Sequence, residues 1–283
     1  VNAITLSSPA KINLFLKVLG KRSDGYHDLF SLMCRINLCD RLHLTFETPT
    51  LKSTCNHPKV PEGPSNVAQK AAALFLDRLS TNDGVGIFIE KNIPVAAGLG
   101  GGSSNAAVVL RALNTYYGRP FSESQLVELA LLVGADVPFF LFGRSAFARG
   151  VGELLEPCPG LAPFWVVLVY PRVTVSTAWA YRHLNLGLTN CPETYNVSGF
   201  LEDPSGVKDF LCNDLERVTV GAFPVISVIK EALLDYGADG ALMSGSGPSV
   251  FGLFAEYEQA RDAFQAVQSR GCWDTYLVDL LLP

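Results

Sequence analysis

The residues best suited to chemistry lie in one run, NIPVAAGLGGGSSNAAVVLRALNTYYG, over 92–118. Gly98, Gly100, Gly101 and Gly102 lack Cβ atoms, so the backbone there can approach a ligand closely. Ser103 and Ser104 follow with two hydroxyls. Ala106, Val109, Leu110, Leu113, Tyr116 and Tyr117 then recur at helical spacing, and Gly118 and Pro120 stop the helix. A helix that opens on glycines presents unpaired N–H groups and the positive end of its dipole, which is what a polyphosphate needs. The plainer alternative is a flexible loop whose Ser103 merely caps the helix. Four glycines, paired serines and a clean amphipathic helix together favour phosphate binding. GxxxxGK[ST] is absent because no lysine follows these glycines, and GxGxxG fails at Ser103. Neither a P-loop NTPase nor a Rossmann dehydrogenase is supported.

Three other elements carry reactive groups. In GADVPFFLFG (134–143), Asp136 stands between a helix-stopping glycine and an apolar run. It reads either as a helix cap or as a carboxylate in a dry pocket, able to take a proton from a substrate hydroxyl. In SPAKINLFLKVLG (8–20), Lys11 and Asn13 share the less apolar face of a strand. Lys17 suits an exposed face, whereas Lys11 lies within an apolar run and is the better site-facing ammonium. Ser244-Gly245-Ser246-Gly247 is a tight turn entering a strand. It is either a hairpin turn only or a second backbone element closing over phosphates or substrate. GxSxG is unmatched, since position 242 is Leu.

These groups must be held by a framework of strands and helices. Ala10, Ile12, Leu14, Leu16 and Val18 alternate with Lys11, Asn13, Phe15 and Lys17 in a strand within 3–18, and Ser23-Asp24-Gly25 reads as a turn. RLHLTFE (41–47) and VGIFIE (85–90) read as strands, with Pro-rich loop over 50–65. Helices are predicted from the Asn66 cap to Leu79 and from the Ser122 cap to Val133, with further helices near 207–219, 224–236 and 256–269. Strands are predicted at FWVVLVYP (164–171) and SVFGLFA (249–255), and 185–206 reads as loop-rich. EPCPGLAP (156–163) marks the boundary between a domain over 1–157 and one over 158–283. Strands and helices without strict βαβ alternation predict an α+β chain.

Composition narrows the function. The chain has 283 residues, 48% apolar and 17% charged, with a net charge of −5. Mean hydropathy is +0.24 and the isoelectric point about 5.4. Such a chain can build a core, and it lacks the basic excess that phosphate-led nucleic-acid binding requires. Apolar stretches such as LAPFWVVLVY (161–170) fall short of the roughly 20 residues that span a bilayer, and the first residues show no signal-peptide pattern. A cytoplasmic protein with no nucleic-acid or membrane partner is expected. The seven cysteines are odd in number and irregularly spaced, with no CxxC, so reduced and mostly buried thiols are expected. The four histidines form no metal pattern, and no protein metal site is expected.

Taken together, the motifs resemble the GHMP kinase superfamily. They stand in its order: Pro9-Ala10-Lys11-Ile12-Asn13, then residues 94–104 (PVAAGLGGGSS), then Ser244-Gly245-Ser246-Gly247. Within it, SPAKINLFLKVLGKRSDGYHDL (8–29), GLGGGSSNAA (98–107), GADVPFF (134–140) and AFARGVGE (146–153) resemble the 4-diphosphocytidyl-2-C-methyl-D-erythritol kinase family. The resemblance covers nearly the whole chain. It implies an N-terminal α/β half that binds ATP and a C-terminal ferredoxin-like half. It also implies transfer of phosphate from ATP to the 2-hydroxyl of the methylerythritol part of a cytidine diphosphate sugar alcohol. By motif, Asp136 would be the general base and Lys11 its cation. Pro94, Val95, Ala96, Ala97, Gly98, Leu99, Gly100, Gly101, Gly102, Ser103 and Ser104 would hold the ATP phosphates. Asn66 and Lys91 would lie near the adenine or ribose. Asn13 would belong to the substrate site. Tyr26 and His27 would grip the cytosine, with Tyr181 as a second aromatic. Mg2+ would be held by ATP phosphates, a serine hydroxyl and water. Ala96-Ala97 departs from relatives that often carry glycine there.

Overall fold

The computed structural model describes residues 2–185, 187, 191 and 204–282. Contacts group the chain into two compact units, each assembled from separate stretches of sequence: Val1–Ala10, Leu38–Val95 and Gly100–Gly143 in one, Lys11–Asn37, Ala96–Leu99 and Arg144–Pro283 in the other.

The first unit is a sheet covered by helices. It takes the start of β1 (Ala3–Lys21) and the end of β2 (His27–Thr48), with β3 (Lys52–Cys55) and β4 (Gly84–Glu90) in the order β3-β4-β2-β1. Leu42, Leu44 and Phe46 are buried while Arg41 and Thr45 are exposed, which is the predicted alternation. β3 corrects the expectation of loop throughout 50–65. Its strand form comes from parallel pairing of Ser53 with Ile87 and Thr54 with Phe88, a tertiary contact that local composition does not encode.

Over this sheet lie α1 (Val67–Leu79), α2 (Gly101–Tyr116), α3 (Glu123–Val133) and the short α4 (Val137–Phe142). Asn66 caps α1 by accepting from the Ala68 N–H, and Ser122 caps α3 in a reciprocal box with Gln125. The stripe Ala68, Ala71, Ala72, Phe75 and Leu76 is buried as its spacing predicts. Burying Phe75 alone contributes about 1.5–3 kcal/mol. The apolar run after Asp136 forms α4, an element not expected from the sequence.

The second unit holds parts of two sheets, the remaining strand pairings of that same seven-stranded sheet and a separate four-stranded one. In one, the start of β2 pairs with β5 (Ala146–Arg149), which pairs with β6 (Leu154–Pro157), and the end of β1 pairs with the short β8 (Cys212–Asn213). The other contains β7 (Trp165–Tyr170), β9 (Gly240–Met243), β10 (Val250–Phe254) and β11 (Asp274–Asp279) in the antiparallel order β11-β7-β10-β9. With α7 (Val225–Asp235) before β9 and α8 (Tyr257–Ser269) after β10, this is the β-α-β-β-α-β ferredoxin-like pattern the family resemblance implied. Its core includes Val167, Val169, Ile226, Ile229, Leu233 and Phe254.

Two further elements are α5 (Thr177–His183) and α6 (Glu216–Ala222). The single helix expected near 207–219 is instead a 3-10 segment Pro204–Phe210, then β8, then α6. Edge pairing of β8 with Phe15 and Leu16 of β1 interrupts the helix. Most of the predicted loop over 185–206 lies outside the described residues.

The cysteines give a second correction. Cys191 and Cys212 form a disulfide with Cα atoms 5.6 Å apart, while Cys34, Cys39, Cys55, Cys158 and Cys272 are not disulfide-bonded. The partners are 21 residues apart with no motif spacing, and β8 brings Cys212 into place only in the folded chain. No helix among the described residues is long and apolar enough to cross a membrane.

Candidate active site

In the second unit the site begins with β1. Its residues from Ala10 to Leu16 are buried on both faces, so the polar face expected from the alternation is not open to water. Lys11 is 5% exposed and Asn13 2%. Lys11 Nζ donates to Asn13 Oδ1 at 2.6 Å, and Asn13 Nδ2 donates to Ser31 Oγ at 2.8 Å. Ser31 Oγ donates in turn to the Phe15 carbonyl at 2.6 Å. A buried ammonium is costly unless such partners receive it, so this chain fixes where the charge sits.

The same unit contains the middle of the glycine-rich loop and the Ser244–Gly247 turn. The Lys11 N–H donates to the Leu99 carbonyl at 2.9 Å, and the Ser249 N–H donates to the Ala97 carbonyl at 3.3 Å. Ser244 Oγ donates to the Gly98 carbonyl at 3.1 Å. Asn213 Nδ2 holds the turn by donating to the Met243 and Gly245 carbonyls at 2.8 and 2.7 Å. A Cβ on Gly245 would lie 3.3 Å from both Lys11 Nζ and Asn13 Oδ1. Lys11, Asn13, residues 97–99 and the turn are therefore one cluster, in which the turn grips the loop's backbone.

In the first unit the loop runs into α2. Gly100, at φ 67°, is the N-cap and makes no side-chain cap. The first-turn N–H groups thus meet no capping side chain, which suits an anion. Ser104 is buried and accepts from Ser8 Oγ at 2.7 Å, while Ser103 is half-buried. Ser103, rather than Ser104, is the hydroxyl better placed to serve a ligand. Asn66 uses both ends of its amide, accepting from the Ala68 N–H and donating to the Pro61 carbonyl, each at 2.9 Å. Lys91 lies in a buried ion pair with Asp40.

Asp136 is half-buried in the turn before α4. It occupies the N-cap position but makes no capping hydrogen bond, so the cap role weighed from sequence is not the one this side chain plays.

His27 opens β2 and stacks on Tyr181 of α5, with centroids 5.0 Å apart and planes at 28°. Burial, and to a lesser degree Lys21, lowers the His27 pKa, which favours a neutral ring able both to donate and to accept. Tyr26 is 61% exposed on a turn where its N–H donates to Asp24 Oδ1 at 3.0 Å. The structure thus brings His27 and Tyr181 together and leaves the Tyr26 ring open to solvent.

Sequence reasoning missed Ser8, Ser31, Asp40 and Asn213. Asp40 carried a usable signal. It takes an inward position in the β2 alternation Ile36, Leu38, Asp40, Leu42, Leu44, where every residue is buried. The other three are ordinary polar residues whose roles arise only from tertiary contact.

The chain is similar to known proteins over its whole length. Residues 66–144 match the family model "GHMP kinases N terminal domain" and residues 200–271 match "GHMP kinases C terminal". A 4-diphosphocytidyl-2-C-methyl-D-erythritol kinase of Geobacter metallireducens is 47% identical over 283 residues, covering 100% of both chains. One of Syntrophotalea carbinolica is 47% identical, covering 96% of this chain and 97% of its own. A crystal structure of 4-(cytidine 5'-diphospho)-2C-methyl-D-erythritol kinase superposes with a TM-score of 0.83 at 38% identity, covering 98% of this chain and 99% of that one. With the loop, the turn and the buried lysine in the arrangement described, the chain belongs to the 4-diphosphocytidyl-2-C-methyl-D-erythritol kinase family of GHMP kinases.

Proposed function

We propose that the protein transfers the γ-phosphoryl group of ATP to the 2-hydroxyl of 4-diphosphocytidyl-2-C-methyl-D-erythritol, in the cytoplasm, as a step of non-mevalonate isoprenoid synthesis. The observation that carries the reading is the glycine loop. Its backbone is gripped through Ala97, Gly98 and Leu99, and it opens a helix whose first turn has no side-chain cap. Phosphoryl transfer asks mainly for positioning and charge stabilisation, and such a loop supplies both.

In this reading the substrate hydroxyl oxygen attacks the γ-phosphorus and the bond to the β-phosphate oxygen breaks, releasing ADP. Asp136 takes the hydroxyl proton. Lys11 supplies positive charge as the alkoxide develops, from the position fixed by Asn13 and Ser31. Residues 94–104 hold the phosphates, with Asn66 and Lys91 on the nucleotide side. Tyr26, His27 and Tyr181 take the cytosine, using aromatic faces and a neutral imidazole.

Magnesium needs hard oxygen ligands. Among the described residues, the one group of three His, Cys, Asp or Glu side chains close enough to hold a metal is Cys191, Cys212 and Asp214. Its donors are soft sulfurs that are bonded to each other, so it does not suit magnesium. The fit is instead to ATP phosphates, water and the Ser103 hydroxyl, where the ion would neutralise phosphate charge.

The test is ADP release with four alcohols: the cytidine diphosphate methylerythritol, homoserine, mevalonate and galactose. Turnover confined to the first is expected. Equal or greater turnover of another alcohol would overturn the substrate assignment.

A further inference from the structure

Asp40 is fully buried in the first unit, at an inward position of β2 between Leu38 and Leu42. An isolated carboxylate there would be strongly unfavourable, so its partners define its role. Oδ1 accepts from the Asn92 N–H and the Ile93 N–H, both at 2.8 Å. Lys91 Nζ donates to Oδ1 at 3.0 Å and to Oδ2 at 2.9 Å. The same ammonium donates to the Ile93 carbonyl. Both backbone polar groups of Ile93 are therefore held, and Lys91 has its donors directed at protein oxygens.

Two features connect this knot to the phosphate loop. Residues 91–93 are the last before the loop begins at Pro94. A Cβ on Gly101, the first residue of α2, would lie 3.0 Å from Lys91 Nζ and 3.2 Å from the Ile93 side chain. The ammonium and Ile93 are thus the floor on which the first turn of α2 rests.

We propose that Asp40 is a positioning residue for ATP, which acts through Lys91 and Ile93 to fix the entry of the phosphate loop and the first turn of α2. Lys91 on this view is a brace for the loop rather than a direct contact to the nucleotide. The inference rests on the reading that this loop holds ATP phosphates. The carboxylate is the shared acceptor of the Lys91 ammonium and two backbone N–H groups, and without its charge the ammonium loses its ion pair and the N–H groups lose their charge-assisted bonds. The loop's amides would then have to be ordered by the nucleotide itself, which weakens binding without touching the proton-transfer step.

The test uses Asp40→Asn, Lys91→Met and the double variant, in the full chain. Binding of a non-hydrolysable ATP analogue is measured by calorimetry, both KM values by steady-state kinetics, and Tm by thermal unfolding. Asp40→Asn should raise the KM for ATP about tenfold, equivalent to about 1.4 kcal/mol, and change the KM for the alcohol less than twofold. Lys91→Met leaves a buried unpaired carboxylate and should have the lowest Tm. The double variant removes both charges, so it should regain Tm yet keep the raised ATP KM. A double variant with wild-type ATP KM, or an Asp40→Asn protein with ATP affinity within twofold of wild type, would overturn the proposal. Failure of the wild-type chain to bind the analogue would defeat the ATP reading itself, and the inference with it.

Discussion

Gly98 and Ser244 interlock through their backbones. A Cβ on Gly98 would sit 2.1 Å from the Ser244 carbonyl oxygen, and Ser244 Oγ donates to the Gly98 carbonyl at 3.1 Å. Gly98 also has φ +78°, in the left-handed region. Close approach and backbone conformation therefore both exclude any larger residue.

Gly98→Ala is accordingly expected to lower stability by more than the roughly 1–2 kcal/mol of left-handed strain alone, because a carbonyl must also move. Gly25→Ala is the control, with φ +88° and nothing within 4 Å of an added Cβ. Urea unfolding of the two variants separates strain from collision. Equal losses would mean that the loop yields freely at Ser244.

Much of the framework was legible in local pattern. The stripe of α1, the Asn66 and Ser122 caps and the alternation of β2 all follow from side-chain spacing and capping chemistry. β3, β5, β6 and β8 are short strands defined by their partners, so local sequence carried little of them. For the site, the glycine loop and the turn stood out because backbone conformation demands glycine at several positions. Asp40 and Asn213 did not, since their importance lies in the carbonyl and N–H groups that the fold delivers to them. The disulfide was invisible for a related reason: spacing of 21 residues says nothing about β8.

Thiol titration tests that disulfide directly. In denaturant, the oxidised chain should show five thiols and the reduced chain seven, from seven cysteines with one bridge. Loop closure over 21 residues suggests a stabilisation of about 3 kcal/mol, to be lost with Cys212→Ser. Seven thiols before reduction would show that the bridge does not form.

Asp136→Asn should lower kcat by roughly 10²–10⁴-fold, since the shape is kept and the proton acceptor is lost. ATP affinity measured by calorimetry should be unchanged. An Asn variant with near-normal kcat would remove Asp136 from the role of base.

Lys11→Met tests charge at nearly constant length. It leaves Asn13 Oδ1 without its donor at 2.6 Å, and a buried acceptor in that state costs about 1–3 kcal/mol. Stability should therefore fall by about that much, while kcat falls far more steeply because the alkoxide loses its cation. Lys11→Met with Asn13→Leu should recover stability but not kcat. Recovery of both would make Lys11 a purely structural residue.

The last prediction concerns the stack of His27 on Tyr181. Burial lowers the His27 pKa from its ordinary value of 6.5, so the unfolded chain binds a proton more readily than the folded one. Stability then rises with pH where the unfolded histidine is losing its proton, and falls as pH drops below about 6.5. His27→Gln should flatten that part of the stability profile, which begins as pH falls through the unfolded value of 6.5 and ends at the lower folded-state pKa. The same titration bears on substrate. A neutral ring can accept from the cytosine amino group, whereas the protonated ring can only donate. The KM for the cytidine substrate should therefore rise in wild type only as pH falls through the lowered folded-state pKa, below 6.5, and it should rise roughly tenfold at pH 7.5 in Tyr181→Ala, where the stacking partner at 5.0 Å is gone. The KM for ATP should move little in both cases. Kinetics with each substrate varied in turn give the answer, and a rise confined to ATP would place the cytosine away from this pair.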